Sequence, residues 1–313
     1  MAGLNSGNAA NAIKTALDVV FEVMPEYLRT PNLGNATDPL VFRQLSTSNA
    51  AYISEQLQGT GYFATKAEQA DVSGATARVG NQKTSTVLEF AQSVDVPRTF
   101  LEDDMHDVVE STVRQMKQKA VLTRDRNACE IYNLGFSTET TNDAVALFSN
   151  SHTTLNGTTV DNLETGTLAV ANLETGIVSL MEQRDQDGTL AGFIARCLFT
   201  PVSLMRESTE ILDSELRSGT GNNDINWTSR RFPGLELRFN QFLGAAVGSS
   251  GSDVRWFLLA QEHNIARIER EGLWTELVAW QNQRNNNYIY KAGYREVVDA
   301  LSWQGAVGSN GTV

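Results

Sequence analysis

Histidines and cysteines are the residue types best suited to catalysis or metal binding, but their spacing in this sequence argues against a catalytic or metal-binding site. His106, His152 and His263 are far apart in the sequence, and none has a second His or Cys at a metal-ligand spacing. Each is expected to be a surface histidine or a hydrogen-bonded core histidine. Cys129 and Cys197 form no CxxC pair, and two buried thiols are favoured over a disulfide.

Two short patterns imitate binding motifs. Gly59, Gly61 and Ala64 match the GxGxxA fingerprint of dinucleotide-binding proteins, but no buried apolar strand precedes them and no helical pattern follows. Asp185 and Asp187 resemble the middle of a calcium loop whose other ligands and closing Glu are absent, so a tight turn is expected. The sequence has no nucleophile-elbow serine and no phosphate-binding P-loop. We therefore predict no catalytic, cofactor-binding or metal-binding residues and no enzyme activity.

The composition indicates a folded protein with little affinity for phosphates. Hydrophobic residues make up 41% of the 313 residues and charged residues 20%, which is near the globular norm. The 25 Lys and Arg residues are outnumbered by 37 Asp and Glu, and the net charge of −12 disfavours a nucleic-acid-gripping surface. No apolar run approaches the roughly 18 residues that cross a bilayer, and residues 1–11 lack signal-peptide features. A soluble protein of cytoplasmic origin is expected.

The first 96 residues predict an arm and a ribbon. Residues 13–27 are amphipathic and are followed by loop signals, which is typical of an arm that must lie against another surface. Residues 52–96 are rich in Gly, Thr, Ser, Ala and Gln, and residues 84–96 alternate as a strand does. A long two-stranded ribbon is favoured, with a flexible loop as the alternative. An isolated ribbon is marginal in water and tends to pair with other chains.

A long helix is the clearest element. Thr99 and Glu102 match a capping box, and Gly135 offers a stop, so the helix would be roughly 50 Å long at ~1.5 Å per residue. Asp103 and Asp104 could do acid–base work, but near a helix start they are better explained as partners of the helix dipole. The apolar face recurs at three- and four-residue steps: Leu101, Met105, Val108, Val109, Val113, Met116 and Ala120.

The second half predicts mixed α/β structure with its own core. A helix starts near Asn172 and stops before Gly188, residues 193–199 form a strand, and Thr200 with Pro201 begins a helix that runs to Leu212. A polar loop follows at residues 213–226. Further strands are predicted at residues 234–242, 254–259, 265–269, 273–280 and 288–298.

This order of elements resembles that of tailed-bacteriophage major capsid proteins of the Hong Kong ninety-seven fold, in the subgroup related to Mu-like heads. Ala146, Leu147 and Phe148 with His152 look like the family's link between the spine region and the axial domain. Residues 288–303 look like its returning strand. The axial-domain core is matched by Leu180-Met181-Glu182-Gln183, Asp187-Gly188, residues 193–199, Thr200-Pro201 and the helix through Ile211.

The resemblance implies an α+β fold divided into five parts. It also places the polar loop at residues 213–226 near the axis of a pentamer or hexamer. Some members of the family cross-link through a ribbon lysine, and Lys66 and Lys83 lie in the matching region, but no motif fixes an acceptor or a catalytic acid. The parts are an N-terminal arm (1–51), an extended β-hairpin loop (52–96), a peripheral domain with a spine helix (97–161), an axial domain (162–285), and a returning strand with a C-terminal tail (286–313).

The implied function is structural. The subunit would assemble with itself into pentamers and hexamers of an icosahedral shell that encloses phage double-stranded DNA, contacting the DNA loosely and no membrane. Further implied partners are a separate scaffolding protein, a portal and a decoration protein; no cofactor is implied. The chain would be made in the host bacterial cytoplasm and reside in the virion capsid. The first alternative is an encapsulin-type nanocompartment shell protein. More distant alternatives are an enzyme of unrelated α/β fold and another phage structural part, such as a tail tube or decoration protein.

Overall fold

Two β-sheets and the long helix that contacts both organise the chain. The structure is a computed structural model that describes residues 6–59, 61–69, 71, 72, 74, 77–97, 99, 108–215, 225–248, 250–278 and 287–312, with side chains from residue 13 onward. The α+β class is confirmed. In the described part the helices are α1 (Ser6–Glu22), α2 (Val108–Leu134), α3 (Val170–Met181), α4 (Met205–Asp213) and α5 (Trp227–Arg231).

The strands fall into two larger sheets and two pairs. One sheet has the order β1-β11-β12-β4 and the other β7-β13-β10-β8-β9, while β2 pairs with β3 and β5 with β6. The strands are β1 (Arg43–Ser46), β2 (Ala51–Gln58), β3 (Arg78–Thr86), β4 (Leu88–Pro97), β5 (His152–Thr153), β6 (Thr159–Val160), β7 (Leu163–Glu164), β8 (Ala195–Pro201), β9 (Glu236–Asn240), β10 (Trp256–Ala260), β11 (Ile265–Val278), β12 (Asn287–Ala300) and β13 (Ala306–Ser309).

The long helix joins the two sheets through its buried face. Its first half packs Val113 and Met116 against Tyr290 of the four-stranded sheet. Its last turns bring Tyr132 against Phe257 of the five-stranded sheet. The helix ends at Leu134, directly before the predicted stop at Gly135. Residues 100–107, with most of the predicted first turn and its acidic residues, lie outside the described residues.

The ribbon is shorter than the sequence predicts. The single strand expected at residues 84–96 is two strands, because the chain changes partners at Val87. β3 pairs antiparallel with β2, whereas β4 pairs antiparallel with β12 from Leu88 to Pro97. The ribbon, residues 51–86, therefore consists of β2, β3 and the segment between them.

Other local predictions are corrected by long-range pairing. Thr200 is not a helix N-cap: it is a fully buried residue of β8, and α4 begins only at Met205, after a short 3₁₀ turn. The strands expected at 265–269 and 273–280 are, as far as Val278, the single strand β11, which holds its pairing with β12 through two register shifts. Residues 279 and 280 lie outside the described residues. Local periodicity does not reveal that continuity.

The sheets combine segments that are distant in the sequence. The four-stranded sheet takes β1 from residues 1–51, β4 from 52–96, β11 from 162–285 and β12 from 286–313. β13, near the chain end, lies inside the five-stranded sheet between β7 and β10. The sheet pairing therefore crosses the boundaries of the five predicted parts.

Candidate interaction surfaces

The ribbon presents apolar side chains to solvent. Ile53, Leu57 and Val79 are each more than half exposed, and Leu57 lies directly opposite Val79 across the two strands. In the segment between the strands, Tyr62 is largely exposed and Phe63 fully exposed. Exposed apolar groups clustered on one element are typical of a surface that meets another protein.

The base of the ribbon is held to the body by a buried charge. The Lys83 Nζ atom lies 2.5 Å from Asp299 Oδ1 at the end of β12 and 3.3 Å from Glu139 Oε1 in the turn after α2. It also donates to the carbonyl oxygens of Thr140 and Ala300. The side chain of Lys83 is 15% exposed, that of Asp299 11% and that of Glu139 24%. This ion cluster is therefore largely shielded from water. Hereafter Lys83, Glu139 and Asp299 are called the clamp.

Sequence reasoning identified Lys83 but missed its partners. Glu139 and Asp299 are 56 and 216 positions away, and neither sits in a recognisable motif. Ser85, two residues along the same strand, donates to Asp299 Oδ2 at 2.5 Å. The spacing of Lys83 and Ser85 on one face of β3 is the only local signal of a shared partner.

The ribbon also touches two turns of the body. The Tyr62 hydroxyl donates to the Leu190 carbonyl at 3.4 Å. Hydrogen bonds from Thr189 lower the pKa of Asp187, and the backbone of Gly61 in the ribbon adds a smaller contribution in the same direction. A Cβ at Gly80 would lie 2.6 Å from the Leu155 side chain, so a larger residue there would have to displace that side chain. Gly61 is thus part of a contact between the ribbon and a turn.

Neither of the two motif imitations has the structure of the motif that it imitates. The GxGxxA stretch follows the exposed strand β2, and the described residues 61–69 are not helical, so it has no dinucleotide-binding context. At the calcium-loop imitation, the Gly188 N–H donates to Asp185 O at 2.9 Å and the Asp185 N–H to Thr189 O at 2.7 Å. Gly188 adopts φ +85°, which a tight turn requires. The predicted turn is confirmed.

The two histidines in the described part of the chain are both buried in the core. His152 is fully buried, with Nδ1 2.7 Å from an Asp143 oxygen and Nε2 3.2 Å from the Leu147 carbonyl, and its ring stacks on Trp303. Both ring nitrogens are therefore engaged within the protein. Burial lowers the pKa of His263 to about 4, and its Nδ1 accepts from the Ile265 N–H. His106 lies outside the described residues.

Other candidate groups in the described part are equally structural. Cys129 and Cys197 are buried free thiols, as predicted, and burial raises the pKa of both. Among the described residues, no group of three His, Cys, Asp or Glu side chains is placed to hold a metal ion. None of the helices in those ranges has both the length and the hydropathy needed to span a bilayer.

Two further surfaces are exposed and apolar. On α1, Leu17 and Phe21 are buried against the long helix and the four-stranded sheet, while Val19 on the opposite side is more than half exposed. Between α2 and β4 lies an open groove of about 340 Å³, lined in part by Phe90 and Met116. The arm helix predicted to need a surface thus lies on its own chain, with one apolar side still uncovered.

Comparisons with known proteins identify the fold. No protein-family model matches the sequence, and no curated protein sequence is significantly similar to it. Among solved structures, the chain resembles the capsid of Myoviridae phage XM1 (TM-score 0.51, 14% identity, 92% of this chain and 94% of that chain). It also resembles the mature capsid of bacteriophage PhiM1 (0.53, 13%, 86% and 84%) and the capsid of cyanophage P-SCSP1u (0.51, 13%, 86% and 86%). The chain therefore has the fold of phage capsid proteins over most of its length.

Proposed function

We propose that this chain is the major capsid subunit of a tailed bacteriophage, which assembles with copies of itself into the pentamers and hexamers of an icosahedral shell around double-stranded DNA. The observation that carries this proposal is the fold shared with phage capsid structures over 86% or more of the chain. Within that fold, the exposed apolar residues of the ribbon and of α1 support a surface for other copies. The subunit would act structurally and not as an enzyme.

The finer parts of the proposal follow from charge and from the order of elements. The net charge of −12 supports loose contact with packaged DNA, because strong phosphate binding would oppose movement of the DNA. We also propose a scaffolding protein, a portal and a decoration protein as partners, synthesis in the bacterial cytoplasm, and membership of the Mu-like subgroup. The five-part division is retained as a proposal, with residues 51–86 as the ribbon.

Electron microscopy of the full-length chain tests the proposal. Purified protein is expected to form closed shells, and particles isolated from the source are expected to contain nuclease-protected DNA. Shells filled with an enzyme would identify an encapsulin-type nanocompartment instead. Tubes, or a compact monomer that turns over a small molecule, would overturn the capsid assignment.

A further inference from the structure

The ribbon has little apolar packing to fix its position. Its strands pair only with each other among the described strands, and Ile53, Leu57 and Val79 point to solvent. A two-stranded ribbon without a core is marginal on its own, so its orientation must come from contacts at its ends. At the base, Tyr52 packs against the small cluster of Ala266, Ile268 and Leu301. The other contacts described there are polar.

Those polar contacts converge on one ammonium group. Lys83 of β3 reaches Asp299 of β12 and Glu139 of the turn after α2, and Ser85 donates to the second oxygen of Asp299. Lys83 thus connects the ribbon to two elements of the body. Because the group is largely shielded from water, removal of the ammonium would leave two carboxylates close together with no countercharge.

The clamp holds one positive and two negative charges when both acids are ionised. Burial raises the pKa of Glu139 to about 6; the nearby Lys83 opposes that rise, and the negative Asp299 adds to it. The charged groups that act on Glu139 are therefore the two other members of the clamp. Protonated Glu139 can donate to Asp299, which leaves one ammonium against one carboxylate.

We propose that the clamp sets the angle of the ribbon to the body, and that ionisation of Glu139 tightens it. Lys83 is a positioning residue in this proposal: it holds the ribbon in a fixed direction. The consequence for assembly rests on the proposed function, since only a subunit that tiles with copies of itself needs the ribbon aimed at a neighbour. The clamp itself does not depend on that function.

The direction of the pH effect follows from which element carries each charge. Glu139 and Asp299 belong to the body and Lys83 to the ribbon, so the Lys83 ammonium favours the ionised form of Glu139, and ionised Glu139 in turn attracts Lys83 more strongly. Because the pKa of Glu139 is raised to about 6, the ribbon is held more firmly near pH 7.5 than near pH 5. Glu139→Gln imitates the protonated acid and should hold the ribbon less firmly at both pH values.

Hydrogen exchange tests the clamp. The exchange is measured on the full-length, unassembled chain and is corrected for the intrinsic effect of pH. In the wild type, amides of β2 and β3 should exchange about three- to tenfold faster near pH 5 than near pH 7.5. Glu139→Gln should abolish that difference. Lys83→Met should speed ribbon exchange on the order of tenfold at both pH values, while the amides of α2 stay protected. Lys66→Met, on the exposed part of the ribbon, is the matched control and should change neither.

The outcomes separate the clamp from the proposed function. Ribbon exchange that is independent of pH in the wild type, or unchanged by Lys83→Met, would overturn the clamp. If Lys83→Met fails to fold, Glu139→Gln still decides, because a pH difference that persists in that variant contradicts the role of Glu139. A chain that never forms shells but shows these exchange differences would refute the capsid proposal and leave the clamp standing.

Discussion

At the scale of single residues, buried acids are the side chains whose replacement is most restricted by their surroundings. Asp125 on α2 is nearly inaccessible, and its Oδ1 atom accepts from the Ala36 N–H at 2.9 Å. Burial raises the pKa of Asp125 to about 6, against the opposing hydrogen bond from Ala36. This carboxyl fastens the segment after the arm helix to α2, at the cost of desolvating a charge at neutral pH.

Asp125→Asn should stabilise the protein at alkaline pH. Because the pKa is raised in the folded state, the contribution of Asp125 is full below its unfolded value of 3.8 and is lost as the pH rises through about 6. The amide keeps the acceptor for Ala36 without the charge, so the free energy of unfolding should rise by about 1–3 kcal/mol near pH 8. Urea unfolding near pH 5 and pH 8 measures this.

Asp125→Ala is the control for the asparagine variant. It removes the acceptor and should destabilise the protein by about 1–3 kcal/mol at either pH. An asparagine variant with the same stability and the same pH dependence as the wild type would show that Asp125 is not a strained charge.

Gly34→Ala should destabilise the core beneath the arm. A Cβ there would lie 2.5 Å from a ring carbon of Phe199, which is fully buried, and the backbone of Gly34 is fixed by hydrogen bonds with Phe239 and Asn240. We expect a loss of about 1–3 kcal/mol in urea unfolding. Gly74→Ala is the matched control, because a Cβ there meets no atom within 4 Å. Equal stability of the two variants would contradict the close packing at Gly34.

At the scale of elements, α2 and the ribbon have opposite energetic characters. The helix is fixed by buried apolar contacts to both sheets, including Met116 and Tyr132. The ribbon is fixed by a small ion cluster, by the packing of Tyr52 at its base and by a hydrogen bond from Tyr62 to a turn. Changes in the helix should therefore lower the stability of the whole subunit, whereas changes in the ribbon should act mainly on its contacts with other copies.

Met116→Pro should break the long helix and abolish shells. Proline removes a backbone hydrogen bond and clashes with the preceding turn, at a cost of ~3 kcal/mol or more. Thermal unfolding and electron microscopy measure the two effects. Met116→Leu is the control and should keep both, since volume-conserving swaps cost under about 1.5 kcal/mol. Wild-type shell yields from the proline variant would contradict the placement of the helix.

Shortening the ribbon should separate folding from assembly. Gln58 and Arg78 are paired across β2 and β3, so residues 59–77 can be replaced by an Asn-Gly turn without disturbing Lys83. The variant should remain a folded, soluble subunit with a melting temperature close to that of the wild type, yet assemble poorly. Normal shells in electron micrographs would show that residues 59–77 do not mediate contacts between copies.

At the scale of the whole molecule, the excess of acidic residues governs the expected relation to nucleic acid. A chain with a net charge of −12 gains little from counterion release at DNA. Unassembled subunits should bind duplex DNA no more tightly than roughly 10⁻⁴ M at physiological salt, the weak end of non-specific binding. Fluorescence anisotropy at several salt concentrations measures this. Tight binding with a steep salt dependence would argue for a dedicated nucleic-acid surface.

The local periodicity of apolar residues and the positions of turn-forming residues by themselves determined much of the secondary structure of this protein. The apolar steps through Val113 and Met116 predicted the long helix, and the Gly- and Thr-rich stretch predicted a ribbon. The lack of ligand spacing around His152 predicted a surface or hydrogen-bonded core histidine, and the structure shows the latter. These features depend on residues a few positions apart, or on the absence of a nearby partner. The order of elements then predicted the capsid fold, which the comparisons confirm.

Only the tertiary structure decided which distant residues meet. The chain changes partners at Val87 because β4 finds β12 about 200 residues later, and Thr200 lies in a buried strand because β8 pairs with both β9 and β10. The clamp likewise joins Lys83 to Glu139 and Asp299, which no sequence pattern connects. Such pairings depend on the sum of many contacts across the fold, because no single short segment carries enough energy to select a partner that far along the chain.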